Sequence, residues 1–253
     1  MPMTRRRFGS VAIGAFASFA LGGACRTTES APRDEARLTA RPRENIKTTA
    51  TGTSTLGLNR DRDATLRLPA TSADGPFPLL VLLHGAGGTG EGVIRRVGPA
   101  ADETGVAILA PDSRDGTWDA IRGSFGRDVR FLDQALQRVF EIVSIDATRV
   151  AVGGFSDGAT YALSVGLANG DLFRRIVAFS PGFIVDAPRQ GTPKVFVSHG
   201  TADPILPIDQ TSLIIVPTLR RRGYDVTFRE FDGRHEVPPA IASEGLRWMV
   251  AAG

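Results

Sequence analysis

The feature that most constrains the fold is a series of short apolar runs separated by stretches of helical length. Pro78-Leu79-Leu80-Val81-Leu82-Leu83 is apolar at every position. So are Val106-Ala107-Ile108-Leu109-Ala110, Val150-Ala151-Val152 and Ile176-Val177-Ala178-Phe179, while Lys194-Val195-Phe196-Val197-Ser198 is nearly so. A strand with no polar face has both faces buried, which is the mark of a central strand in a parallel sheet. Thr65-Leu66-Arg67-Leu68 and Val226-Thr227-Phe228-Arg229-Glu230-Phe231 alternate instead, as outer strands do. Between the runs, Asp128 to Ile142 places Val129, Leu132, Leu136, Val139 and Phe140 at helical spacing. Residues 157–168, 208–222 and 239–250 are also of helical length and composition. Repeated strand–helix–strand units predict an α/β domain over 54–253, with a mainly parallel sheet covered on both faces. There is no internal repeat and no sign of a second domain. Ligands of such sheets bind beyond the carboxyl ends of the strands.

Ahead of the domain the chain has a different character. Arg5-Arg6-Arg7 precede the apolar stretch Val11 to Leu21, which ends in small residues. This predicts a signal peptide over 1–24, and Thr4-Arg5-Arg6-Arg7-Phe8 resembles a twin-arginine export signal. The sole cysteine, Cys25, follows Leu21-Gly22-Gly23-Ala24, similar to a lipoprotein processing site. Export is the expectation, either anchored to the membrane through a lipidated Cys25 or cut after Ala24 by the ordinary signal peptidase into a periplasmic or secreted protein. One cysteine also excludes an internal disulfide and a cysteine-built metal site. Residues 25–53, rich in Thr, Arg, Ala and Pro without apolar periodicity, read as a flexible tether. Arg5, Arg6 and Arg7, with the basic excess of 26–50, exceed the whole net charge of +3, so the domain itself is slightly acidic. No nucleic-acid surface is expected.

Gly154-Phe155-Ser156-Asp157-Gly158 is a G-x-S-x-G pentapeptide. Alone it is weak, since chance supplies one in roughly one such chain in five. Its setting makes it specific: a buried strand runs into it and a helical stretch leaves it. A sharp strand-to-helix turn would lift the Ser156 hydroxyl above the sheet edge. Serine needs a base, and the base needs an orienting acid. In this arrangement the acid and then the histidine follow the serine in the chain. His84 precedes Ser156, and His199 leaves little room for an intervening acid. His235, between the last strand and the last helix, is the candidate base. Asp203, after the preceding strand, is the candidate acid, with Asp186 and Asp209 as rivals. His84 and His199 are expected to brace their loops.

The glycine-rich turn His84-Gly85-Ala86-Gly87-Gly88 after the first buried strand can aim an amide at a developing oxyanion. Ala86 or Gly87 would supply it, Ala86 being favoured, and the amide of Asp157 would be the second donor. Gly87, Trp118 and Phe183 are candidate pocket walls; for Trp118 and Phe183, core packing is an equal alternative.

These four separated motifs, His84-Gly85-Ala86-Gly87, Gly154-Phe155-Ser156-Asp157-Gly158, His199-Gly200-Thr201-Ala202-Asp203-Pro204 and Gly233-Arg234-His235-Glu236, resemble the α/β-hydrolase superfamily in its phospholipase/carboxylesterase branch. The stretch from Asp128 to Ser156 is also similar to exported polyhydroxybutyrate-depolymerase-like and feruloyl-esterase-like enzymes. The resemblance implies an α/β-hydrolase fold with Ser156, Asp203 and His235 as catalytic triad. It implies a small-molecule carboxylic ester or thioester as substrate, without metal or organic cofactor. No long insertion separates Ile176 from Lys194, so no large lid is expected. The alternatives are a serine peptidase of the same fold and a catalytically inactive surface-binding protein.

Overall fold

A computed structural model describes residues 35–50, 52–69 and 75–251. The signal peptide, the twin-arginine pattern and Cys25 lie outside these residues. The described chain forms an eight-stranded sheet in the order β1-β2-β4-β3-β5-β6-β7-β8. The strands are β1 (Thr53–Thr55), β2 (Ala64–Arg67), β3 (Phe77–Leu83), β4 (Ala107–Pro111), β5 (Ile145–Phe155), β6 (Arg175–Phe179), β7 (Lys194–Gly200) and β8 (Val226–Phe231). From β4 through β8 every neighbouring pair is parallel, and β1 and β2 add an antiparallel edge.

The apolar runs split by parity into two cores. Leu79, Val81, Leu83, Val150, Val152, Ile176, Ala178, Val195 and Val197 face one layer. It is closed by the short α2 (Asp119–Arg122) together with α3 (Arg127–Ile142), α4 (Asp157–Ala168) and α5 (Ser212–Arg221). Leu80, Leu82, Ile108, Ala151, Val177 and Phe196 face the other, closed by α1 (Gly90–Thr104) and α6 (Pro239–Val250). A residue slip in any of these strands would exchange its two layers, so the double burial fixes the register. The parallel crossovers bring the carboxyl ends of β3, β5, β6, β7 and β8 to one edge.

Two departures from the sequence expectations have physical causes. The helix expected over 208–222 is broken: a 3-10 turn covers Ile208–Gln210, and α5 begins only at Ser212. The tether expected over 25–53 is laid onto the domain from residue 35. Ala36, Leu38 and Ala40 are buried. The Leu38 amide donates to Asn169 Oδ1 at 2.8 Å, and Asn169 Nδ2 returns a bond to the Ala36 carbonyl at 2.7 Å. The amides of Thr39 and Ala40 donate to Asp133 Oδ1 at 2.7 and 2.8 Å. Arg37 and Arg41 both reach Asp171, whose carboxyl they hold well below the usual range against the opposing effect of burial. The alternation of Ala36, Leu38 and Ala40 is a strand-like signal, but small residues make it faint. The side chains that satisfy its backbone are nearly a hundred residues or more distant. Among the described residues no helix is long and apolar enough to cross a membrane.

Candidate active site

β5 runs straight into Ser156, which adopts φ 58°, ψ −122°. A side-chain-bearing residue at positive φ is strained by about 1–3 kcal/mol, and the surroundings must hold it there. They do so from both sides. The Ser156 amide donates to the Phe179 carbonyl of β6 at 3.0 Å, and its carbonyl accepts from Ala159 and Thr160 as α4 begins. The two flanking glycines permit the turn. A Cβ at Gly154 would lie 2.4 Å from the carbonyl carbon of Gly158, and one at Gly158 would lie 2.2 Å from the Leu83 carbonyl oxygen. No larger residue fits either place without moving β3.

The Ser156 hydroxyl lies 2.9 Å from His235 Nε2, and His235 Nδ1 lies 2.6 Å from Asp203 Oδ2. Asp203 follows β7 and its side chain is fully buried. Burial alone would raise its pKa, but the carboxyl is held below its ordinary value. The amides of Leu206 and Ile205 donate to Oδ1, each at 2.9 Å, and His235 donates to Oδ2. The carboxylate therefore fixes the proton on His235 Nδ1 and leaves Nε2 free to accept from serine. The histidine loop is stitched to the acid loop. The Ala202 amide donates to the Gly233 carbonyl at 3.0 Å. Gly200 is required there, since a Cβ would sit 2.3 Å from the Arg234 carbonyl oxygen. The rival acids stand elsewhere: Asp186 lines a different cavity, and Asp209 sits in the 3-10 turn.

The other two histidines are buried and uncharged braces. Burial lowers the pKa of each. His84 Nδ1 donates to the Gly85 carbonyl at 2.7 Å, while its Nε2 accepts from the Ser113 amide at 3.0 Å. His199 lies 2.7 Å from the Leu206 carbonyl through Nε2 and 2.7 Å from Ser212 Oγ through Nδ1. Its Nε2 is also 3.2 Å from Asp203 Oδ2. The start of α5 is thereby tied to the acid loop.

The choice between Ala86 and Gly87 rests on what each amide already does. Gly87 donates to the Gly116 carbonyl at 2.6 Å. Among the described residues the Ala86 amide meets no acceptor, and the Asp157 amide, first in α4, has no acceptor within its helix. Both are free for an anionic oxygen beside Ser156. Gly85 presses the turn against the serine, with its Cβ position 3.2 Å from Ser156 Cβ.

Of the three candidate pocket walls, Trp118 follows its core-packing alternative. Trp118 is 1% exposed, stacks on Tyr161 with ring centroids 5.1 Å apart, and donates from Nε1 to the His84 carbonyl at 2.8 Å. It is a core residue that holds the glycine-rich turn from beneath, and its indole N–H found a backbone partner rather than a ligand. Gly87 turns its amide to Gly116 and serves the loop. Phe183 is 46% exposed and lines a cavity of about 440 Å³ with Ile184, Ile214 and Ile215, between the loop after β6 and α5.

Sequence reading missed Phe155, whose ring packs on His235 at 4.7 Å, and Thr117, which donates to Asp157 Oδ2 at 2.5 Å. Phe155 was visible only as the variable position of the pentapeptide. Thr117 belongs to Thr117-Trp118-Asp119, a stretch similar to a cleft loop of the phospholipase/carboxylesterase branch, but nothing in the sequence marks its bond to Asp157. Among the described residues no group of three or more His, Cys, Asp or Glu is placed to hold a metal ion.

A family model described as phospholipase/carboxylesterase matches residues 119–242, a span holding Ser156, Asp203 and His235. The chain has the α/β-hydrolase fold and over this span resembles the carboxylesterases of that fold. A probable feruloyl esterase C of Aspergillus niger is 28% identical over 157 residues, covering 58% of this chain and 57% of that protein. The chain thus spans little more than half the length of that relative. Among solved structures, esterase PE8 superposes with a TM-score of 0.60 at 24% identity, over 73% of this chain and 95% of that one. The fluorophosphonate-binding serine hydrolase FphF of Staphylococcus aureus does so with a TM-score of 0.61 at 18% identity, over 79% and 100%. At these identities the likeness of this chain to both is one of fold.

Proposed function

We propose that this α/β-hydrolase is an exported serine esterase cleaving carboxylic ester or thioester bonds of small to medium substrates. The observation that carries the reading is the chain of contacts from the Ser156 hydroxyl through His235 to Asp203, beside two free amides. Ser156 Oγ attacks the acyl carbon while His235 Nε2 takes its proton. The carbonyl oxygen, now negative, settles between the amides of Ala86 and Asp157. His235, its charge stabilised by Asp203, then protonates the leaving oxygen or sulfur, and the acyl-enzyme forms. Water repeats the sequence with His235 as base, releasing the acid and restoring Ser156. Each proton transfer and each charge has a named partner. Export rests on the leader with its paired arginines, and membrane attachment on lipidation of Cys25.

Purified protein should hydrolyse p-nitrophenyl acetate at the same rate with and without saturating EDTA. A rate abolished by chelation and restored by metal would contradict the scheme. A feruloyl ester belongs in the same assay, because relatives of this chain carry that name.

A further inference from the structure

Beside Ser156 lies a cavity of about 320 Å³ that the scheme above does not use. Its walls are the glycine-rich turn at His84, Gly85 and Ala86, the first turns of α1 at Gly92, Arg95 and Arg96, and Phe155. Three observations fix its place and character. First, the Gly85 wall faces Ser156, whose Cβ lies 3.2 Å from where a Cβ on Gly85 would stand, and the Phe155 wall packs on His235 at 4.7 Å, so the cavity adjoins the reacting atoms on the histidine side. His235 hands its proton to the leaving group, so the leaving group departs toward this side. Second, the Arg96 guanidinium lies over the Phe155 ring, 5.2 Å from its centre. A face-on contact of this kind holds the cation at the cavity rather than leaving it adrift in solvent. Third, no carboxylate lines the walls. Among the described residues neither Arg95 nor Arg96 makes an ion pair, whereas Arg37, Arg41, Arg67, Arg149 and Arg229 all do. The neighbouring acid Asp112 is engaged by the Gly90 amide at 2.7 Å, and Asp157 by Thr117.

We infer that this cavity is the leaving-group subsite, and that it selects esters whose alcohol or thiol part carries a negative charge. The apolar surface of Phe155 and Val93 would seat the body of the leaving group, and Arg96, with Arg95 beside it, would meet its anion. The inference rests on the esterase reading.

The test compares 4-acetoxybenzoate with 4-acetoxybenzamide, which release the same acyl group from leaving groups differing in charge. Their difference in intrinsic reactivity cancels when the ratio of kcat/KM values is compared between proteins. At low salt, Arg96→Gln should lower the anionic-to-neutral ratio by about fivefold, as loss of one partly exposed charge pair implies. The change should appear in KM, Arg96→Lys should restore most of the ratio, and removing Arg95 as well should lower it further. Salt should erode the wild-type preference. The ratio for 4-nitrophenyl succinate against 4-nitrophenyl butyrate, where the charge sits on the acyl side, should stay as in the wild type. A leaving-group ratio unmoved by Arg96→Gln, or an acyl-side ratio that falls equally, overturns the subsite. Failure of the wild type to cleave the neutral ester would instead refute the esterase reading, and the subsite with it.

Discussion

Ser156→Ala is expected to reduce ester turnover by about six orders of magnitude while the protein remains folded. The loss follows from removing the only atom that can form the acyl-enzyme. The two free amides and the cavity stay in place, so a small residual rate over water should persist. Stability should change little. Alanine keeps the amide bond to the Phe179 carbonyl and the two carbonyl bonds into α4. The backbone strain at φ 58° remains, because any residue with a Cβ meets it. Turnover of p-nitrophenyl acetate, with thermal unfolding as a control for folding, checks both halves. A folded variant that retains a substantial fraction of the rate would remove Ser156 from the mechanism.

Asp203→Asn should cost about 10⁴ in kcat, and the hydrogen bonds around the carboxylate say why. Asp203 accepts from the amides of Ile205 and Leu206 on one oxygen, and from His235 on the other, with His199 close by. Asparagine offers one oxygen and one NH₂. Backbone amides cannot change role, whereas an imidazole can switch tautomer, so the oxygen should stay with Ile205 and Leu206. The NH₂ then faces His235 Nδ1, which must accept. The proton moves to Nε2, the atom that has to receive the serine proton, and the base is disabled. Thermal stability should fall only modestly because the amide bonds survive. Steady-state kinetics test this, and a near-normal rate would reopen Asp186 and Asp209 as the acid.

The legible part of the fold was the part built by burial on both faces of a strand. Each run such as Leu79 to Leu83 has no polar position, and no competing structure explains that pattern as well. The contact chain from Ser156 through His235 to Asp203 was legible because each of the three follows a strand of one sheet, and topology does the rest. α1 was not legible. Gly90, Gly92, Gly98 and Pro99 disguise it, yet Gly90 is required because a Cβ there would lie 2.2 Å from the Ala110 carbonyl oxygen. The packed strap at Ala36, Leu38 and Ala40 was hidden for a similar reason, its backbone being satisfied by Asn169 and Asp133 from distant helices. Sequence does not separate the two readings of Trp118, because an aromatic residue near a site looks the same in sequence whether it faces the ligand or props the loop. Arg96 gives no sequence signal, since only the fold brings it over Phe155.

The central claim is that Ser156 is a nucleophile activated by His235. Incubation with a fluorophosphonate, followed by intact-mass analysis and peptide mapping, tests it directly. The account predicts one adduct per chain, on the peptide containing Ser156, absent in Ser156→Ala and strongly slowed in His235→Ala. An unmodified wild-type protein, or an adduct on any other residue, would contradict it.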